Sequence, residues 1–341
     1  MAIIDKPSDY FNTKLYSGNS TDDTSITGVG FQPDWLWIKE RTNTSGHQLQ
    51  DVVRGATKQL FSHDTQAEAT NTTKVKSFDS DGFTLGTSGS VNVSGDTYVA
   101  WNWKAGGSAS SNSNGSITSS VSANTDAGFS IVSWSGSGGN ATVGHGLGAV
   151  PKMIIIKSRN TGGTDWTTYH VSLGNTKYVL LNSTNAENTY NHFQNTTPDS
   201  SKFYITSDGT VNGSGRTYIA YCFAEKQGYS KFGSYIGNGN ADGPFVYTGF
   251  KPAFVMVKLS SGADDWQVLD NKRSPINIVG GYLRPNSSGA TVSNDVIDFL
   301  SNGFKLRTSA GSWNPNGGTF IYMAFAENPF VASNFNVATA R

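Results

Sequence analysis

Three runs of nine residues dominate the hydrophobic pattern of the chain: Phe31 to Lys39 (FQPDWLWIK), Ala149 to Lys157 (AVPKMIIIK) and Phe250 to Lys258 (FKPAFVMVK). In each, a proline stands six positions before a lysine, and the residues between are almost wholly apolar. Runs this short, rich in β-branched and aromatic residues and bounded by Gly and Pro, predict buried strands rather than helices. Proline lacks an N–H and holds φ near the extended region, so it suits the start of a strand, where no ladder bond is lost. A lysine is costly to bury, so each strand is expected to end at solvent or at a partner carboxylate.

A second pattern recurs as Thr97 to Trp103 (TYVAWNW), Thr217 to Glu225 (TYIAYCFAE) and Thr319 to Glu327 (TFIYMAFAE), which predicts a closing strand after a Gly-rich turn. Tyr16-Ser17-Gly18, Trp134-Ser135-Gly136 and Tyr235-Ile236-Gly237 each place an aromatic residue 17 positions before the proline. That spacing predicts a strand that ends at a Gly/Asn turn and returns, hairpin-like, through the proline-led strand. Gly82 to Leu85, Lys202 to Ile205 and Gly303 to Leu306 alternate in the manner of strands with one buried face. Helical signal is confined to Asp51–Phe61 and, more weakly, Asn294–Leu300.

These repeats predict an all-β fold of three tandem, related β-sandwich or jelly-roll-like modules, each of roughly a hundred residues. The modules span 1–105, 123–226 and 227–331, and 332–341 forms a C-terminal tail that could serve as an attachment peptide. Between the first two modules, 106–122 is so rich in Gly, Ser and Asn that it reads as a flexible linker, leaving module one free to fold alone. Only about Lys226–Ser230 joins modules two and three, which implies a fixed interface there.

Charge adds an exclusion. The 341 residues carry 25 basic and 25 acidic side chains, 15% charged in all, against ~25% in ordinary domains. A neutral exterior of Ser, Thr, Asn and Gly has no general attraction for nucleic acid or anionic membrane. No apolar run approaches the ~18 residues of a membrane span, so neither nucleic-acid binding nor membrane insertion is expected. Cys222, the sole cysteine, lies in an apolar run and reads as a small buried hydrophobe.

Candidate chemistry is sparse. Glu40, Glu68, Glu187, Glu225 and Glu327 are isolated, without the paired acids of a glycoside hydrolase, and Glu225 and Glu327 read as structural partners of a repeated lysine. Asp79 and Asp81 have the spacing of oxygen ligands but fit an Asp-Gly turn better. His47, His63, His145, His170 and His192 form no zinc or nucleophile motif, and no phosphate loop is present. No catalytic residue, metal ligand or cofactor is therefore assigned. Trp35, Trp37, Trp101, Trp103, Trp166 and Trp266 lie in repeated strands and read as core, whereas Trp313 lies in a polar loop, SWNPNGG, without a matching tryptophan elsewhere. It is the one candidate for a surface contact.

The phrases FQPDWLWIKERT, DVVRGATK, SFDSDGFTLG, DTYVAWNWKA, GHGLGAVPKMIIIK and GSGRTYIAYCFAE, continuing through YSKFGSYIGNGNADGPFVYTGFKPAFVMVK and DFLSNGFKL, resemble the repeat of virion proteins of marine tailed bacteriophages, often described as tail-fibre-like. The resemblance covers nearly the whole chain. It implies a non-enzymatic structural protein, made in the host cytoplasm and exposed on the virion, for host adhesion through surface glycan. Its partners would be other virion proteins, a host glycan and, in a homo-oligomer, two further copies in a trimer. The chain departs from a long tail fibre in having no collagen-like run, no heptads and no separate attachment domain. Capsid decoration or cementing is the alternative within that class, and a soluble lectin or a polysaccharide depolymerase are the alternatives outside it.

Overall fold

A strand that is apolar on both faces needs cover on both sides and belongs in the interior of a sheet. In the computed structural model, which describes residues 3–331, three sheets share one strand order that gives the closing strands this place. The first sheet runs Phe11–Ser17, Thr97–Trp103, Trp35–Glu40, Gln48–Asp51. The second contains Phe129–Ser135, Thr217–Phe223, Met153–Ser158 and Thr167–His170 in the same order, and the third Ser230–Ile236, Thr319–Pro329, Phe250–Leu259 and Trp266–Asp270. All these neighbours are antiparallel. The opening and proline-led strands expected to form a hairpin are thus not neighbours, because the doubly apolar closing strand lies between them. The tail, 332–341, lies outside the described residues.

Alternation along these strands explains the continuous apolar runs. Leu36 and Ile38, Ile154 and Ile156, and Val255 and Val257 face a second sheet in their own third of the chain, forming three separate sandwich cores. The second sheets contain Thr24–Thr27 with Gly82–Leu85, Ala141–Gly144 with Lys202–Ile205, and Phe245–Tyr247 with Gly303–Leu306. The intervening residues, Trp35 and Trp37, Met153 and Ile155, Phe254 and Met256, turn the other way into one common core. There Trp103, Phe223 and Phe325, which hold the same place in the three closing strands, gather: Trp103 and Phe325 lie 5.7 Å apart and Phe223 and Phe325 6.0 Å. Module one is therefore no freely tethered unit, since its inner sheet is one wall of a core shared by all three.

Backbone bonds close the three units in cyclic order. The residues two beyond each repeated lysine accept from the preceding unit: Glu68 N–H to Arg159 O at 2.6 Å, Glu187 N–H to Ser260 O at 2.8 Å, and Thr291 N–H to Arg41 O at 3.0 Å. A second set runs the opposite way, Gly163 to Thr65, Asp264 to Thr184 and Ser45 to Ser288, at 2.8–3.0 Å. One seam thus joins units one and two, one joins two and three, and one joins three and one.

The Gly/Ser/Asn linker of 106–122 is docked by two strands rather than left as a tether. Ser110–Asn112 and Ser119–Asn124 extend the second inner sheet beyond Phe129–Ser135. Ser116 and Thr142 exchange reciprocal 2.8 Å backbone-to-hydroxyl bonds, and a Cβ on Gly115 would meet Thr142 O at 2.3 Å. Small polar side chains here bond to backbone and allow close approach instead of conferring freedom. The two helix expectations also fail. Asn294–Leu300 falls in the strand Val292–Leu300, and after Asp51 the carboxylate accepts the N–H groups of Val53 and Arg54, making a turn that leads to Gly55 at φ +100°.

Candidate functional site

Trp313, the residue expected to make a surface contact, is 1% exposed. Its ring packs edge-on to Tyr282 at 5.2 Å, and its carbonyl accepts the Tyr235 hydroxyl. Its place is set by the next residue. Asn92, Asn212 and Asn314 are all fully buried and accept the backbone N–H of Asn19, Ser137 and Asn238, pinning the Gly/Asn turn in each unit. The residues before them, Val91, Val211 and Trp313, all point into their sandwich cores. Aligning Trp313 with those two valines is the signal that would have placed it inside.

The repeated lysines are buried, contrary to the expected solvent exit, and satisfied by oxygen dipoles rather than carboxylates. Lys157 donates to Thr164 O at 2.6 Å, to its hydroxyl at 2.9 Å, and across the seam to Thr65 O at 3.0 Å. Lys258 donates to Leu259 O at 2.5 Å and across the next seam to Thr184 O at 3.2 Å, while Lys39 donates to Glu40 O at 2.6 Å. Desolvation pulls all three ammonium groups down to about 8. Glu225 and Glu327 pair instead with Lys231 at 2.7 Å and Lys251 at 3.9 Å.

One set of seam residues escaped the sequence reading. Asp51, His170 and Asp270 occupy equivalent register positions, opposite Trp35, Met153 and Phe254. Each reaches the neighbouring unit: Asp51 accepts the Tyr221 hydroxyl at 2.8 Å, Asp270 accepts Trp101 Nε1–H at 3.0 Å, and His170 Nε2 donates to Tyr322 O at 3.1 Å. The two aspartates also hold buried arginines three residues on, Arg54 at 2.5 Å and Arg273 at 2.6 Å. The repeated D-x-x-R was the available signal. Trp166 and Trp266 donate across seams to Phe61 O and Leu180 O, both at 2.8 Å, and His47 Nε2 donates to Arg284 O at 2.9 Å in the third. Because Trp37 Nε1–H donates to His47 Nδ1 and Ser172 N–H to His170 Nδ1, both rings are neutral, and burial holds their pKa values below the usual histidine range.

Cys222, Asp79 and Asp81 are also taken up in the scaffold. The Cys222 thiol is fully buried, and burial pushes its pKa up, away from thiolate. Asp81 accepts Gly28 and Gly30 N–H at 2.9 and 2.6 Å, and Asp79 accepts the hydroxyls of Ser77 and Thr84. The pair makes a turn, and among the described residues no group of three His, Cys, Asp or Glu could hold a metal. No described helix is long and apolar enough to cross a membrane.

Hollows open on the surface between and beside the units. A cleft of about 500 Å³ opens where units two and three meet, lined by Lys152, Glu225, Lys226, Lys231, Tyr247 and Gly249 among others. Glu225 is held by Lys231 at 2.7 Å and by Phe232 N–H at 3.3 Å. Lys226 also borders an adjoining cleft, of about 430 Å³, with Asp9, Tyr10 and Asp126. Tyr247 and Phe245 lie on one face of the short strand Phe245–Tyr247, 58% and 45% exposed. A third hollow is lined by Pro275, the exposed Ile276 and Ile278, Gly280, Ser293 and Asp295 among others.

No curated protein and no solved structure matches this chain. Residues 6–329 match one family model, described as a domain of unknown function, DUF7483. That match takes in all three sandwiches and the seams between them, and the chain belongs to this family.

Proposed function

We propose that the chain is a non-catalytic structural protein displayed on the surface of a tailed-phage particle, where its outer faces meet host-surface glycan. The observation that carries this reading is the common aromatic core, in which three sandwiches of one strand order share a single interior and bury their ionisable seam groups in mutual hydrogen bonds. Such a body commits its polar residues to rigidity and leaves a neutral, hydroxyl- and amide-rich exterior, which suits a protein that works outside the cell and must resist nonspecific adhesion. The resemblance of its repeated phrases to virion repeats supports the particle.

The cyclic order of the seams favours a second reading, decoration of the shell. Three equivalent contacts around a common core give the chain faces that could match a threefold position on a capsid. Immunogold electron microscopy on purified particles, with antibody against the recombinant chain, separates the two. Gold at the tail supports display for adhesion, gold over the head supports decoration, and particles without label or the chain's peptides in mass spectrometry contradict both.

A further inference from the structure

We infer that the seam between units two and three is a binding site for an acidic sugar chain, with Phe245 and Tyr247 as stacking platforms and Lys152 and Lys226 as the groups that receive its acid substituents. The inference deepens the display reading by naming what the displayed surface holds.

The aromatic pair is not required by the scaffold, as the other two units demonstrate. Tyr247 pairs with Gly303, the first residue of its neighbour strand, as Thr27 pairs with Gly82 and Gly144 with Lys202. Two positions earlier, Phe245 corresponds to Ser25 and Thr142. The same strand is thus built with small residues twice and with two large exposed rings once. Exposed apolar rings side by side cost solubility and are retained where something covers them. Their backing keeps them presented: a Cβ on Gly303 would meet the Phe245 ring at 3.0 Å, and one on Gly249 would meet the Tyr247 ring at 3.6–3.8 Å. Side chains two apart on a strand emerge on one face about 7 Å apart, on the scale of one sugar residue. Ring faces carry negative quadrupole and attract the C–H groups of a pyranose.

Charge selects the class of sugar. Three lysines and one glutamate are the charged groups of the cleft beside Tyr247, and Glu225 is committed to Lys231. Among the described residues Lys152 and Lys226 have no ion-pair partner, which leaves two ammonium groups open to a ligand in this cleft, although Lys226 also borders Asp9 and Asp126 in the adjoining one. The position of Lys152, next after the strand proline, is Asp34 in unit one and Ala253 in unit three, so this charge too is particular to the one seam. A neutral glycan would use the rings and leave both ammonium groups unpaired. A uronate or sulfated chain uses both.

The test is binding of the full chain to oligogalacturonate, oligoalginate and a sulfated oligogalactan, with cellohexaose as neutral control and polyglutamate as sugar-free polyanion. At least one acidic oligosaccharide is expected to bind more tightly than cellohexaose. The double variant Phe245→Ser, Tyr247→Thr, which copies unit one, is expected to weaken it by about tenfold or more while melting at the wild-type temperature. Lys152→Gln with Lys226→Gln should abolish the preference for acid over neutral chain. Failure of all three acidic probes, undiminished binding by the Ser/Thr variant, or equal binding of polyglutamate would each overturn the site. Because the isolated chain is used, the two readings fail separately: sugar binding with unlabelled particles removes the particle and leaves the site, and labelled particles with no sugar binding do the reverse.

Discussion

Replacing His170 by glutamine should make the protein markedly less sensitive to acid. The imidazole is 1% exposed at the seam between units two and three, and its polar contacts among the described residues, Tyr322 O and Ser172 N–H, specify the neutral ring. Desolvation lowers its pKa from 6.5 to about 4. The unfolded chain therefore binds a proton that the folded chain refuses across that interval, so stability is full above 6.5 and falls as the pH drops towards 4. At about 1.4 kcal/mol per unit, the whole interval is worth about 3 kcal/mol, of which roughly 2.5 kcal/mol is spent by about pH 4.5. Glutamine does not titrate, and its amide can still donate to the Tyr322 carbonyl. Urea unfolding of both proteins at about pH 7.5, 6, 5 and 4.5 gives the two curves. His47 and the other buried histidines contribute to both alike and cancel in the difference. The wild-type protein should lose about 2.5 kcal/mol more than His170→Gln over this range. Parallel curves would show that the ring is protonated or solvated in the native state, and the seam would not be the sealed contact described above.

Three further outcomes follow from the burial pattern. Calorimetry of the full chain should give one cooperative transition, and a fragment lacking 1–105 should aggregate, because the inner faces of Met153, Tyr221 and Phe254 lose their cover; separate transitions with a soluble fragment would contradict a common core. Trp313→Ala should destabilise by about 3–5 kcal/mol in urea unfolding, as removal of a large core ring does, and a change below about 0.5 kcal/mol would return the residue to the surface. Cys222 should be inert to a thiol reagent in the native protein and react fully in denaturant, where fast native labelling would contradict its place between the sheets.

The strands were legible because their signal is local. WLWI, MIII and FVMV each announced a short buried strand, and the three closing strands lie where their threonines predicted, as members of an all-β fold. What was misjudged was the second face. A strand in a lone sandwich with a wet outer surface alternates, whereas these runs do not, and that lack of alternation was already evidence for another apolar layer. Read as modules on tethers, the chain had nothing to supply it. The linker error has the same origin, since composition cannot tell small polar residues that lace an edge strand to its neighbour, as Ser116 and Thr142 do, from those left in water. Trp313 was judged by its polar neighbours in sequence, although Val91 and Val211 already marked its slot as interior. The seam itself was encoded in residues from distant units, such as Asp51 with Tyr221, and pairings at that separation leave no local trace beyond the repeated D-x-x-R.

Placing the three units in one chain has two physical consequences that bear on a role at a surface. A ring assembled from separate subunits dissociates on dilution, while one whose seams are intramolecular keeps its stability at any concentration. Covalent linkage also frees the units from identity. Asp51, His170 and Asp270 solve the same seam position with different chemistry, and the strand that carries Ser25 and Thr27 in one unit carries Phe245 and Tyr247 in another. In a homotrimer every substitution appears three times, so an exposed aromatic pair tolerated once would be tripled, with three times the apolar surface to keep soluble. Here the common core holds the scaffold while a single seam departs from it. That departure, two exposed rings beside two lysines without an ion-pair partner among the described residues, is what threefold repetition alone would not produce.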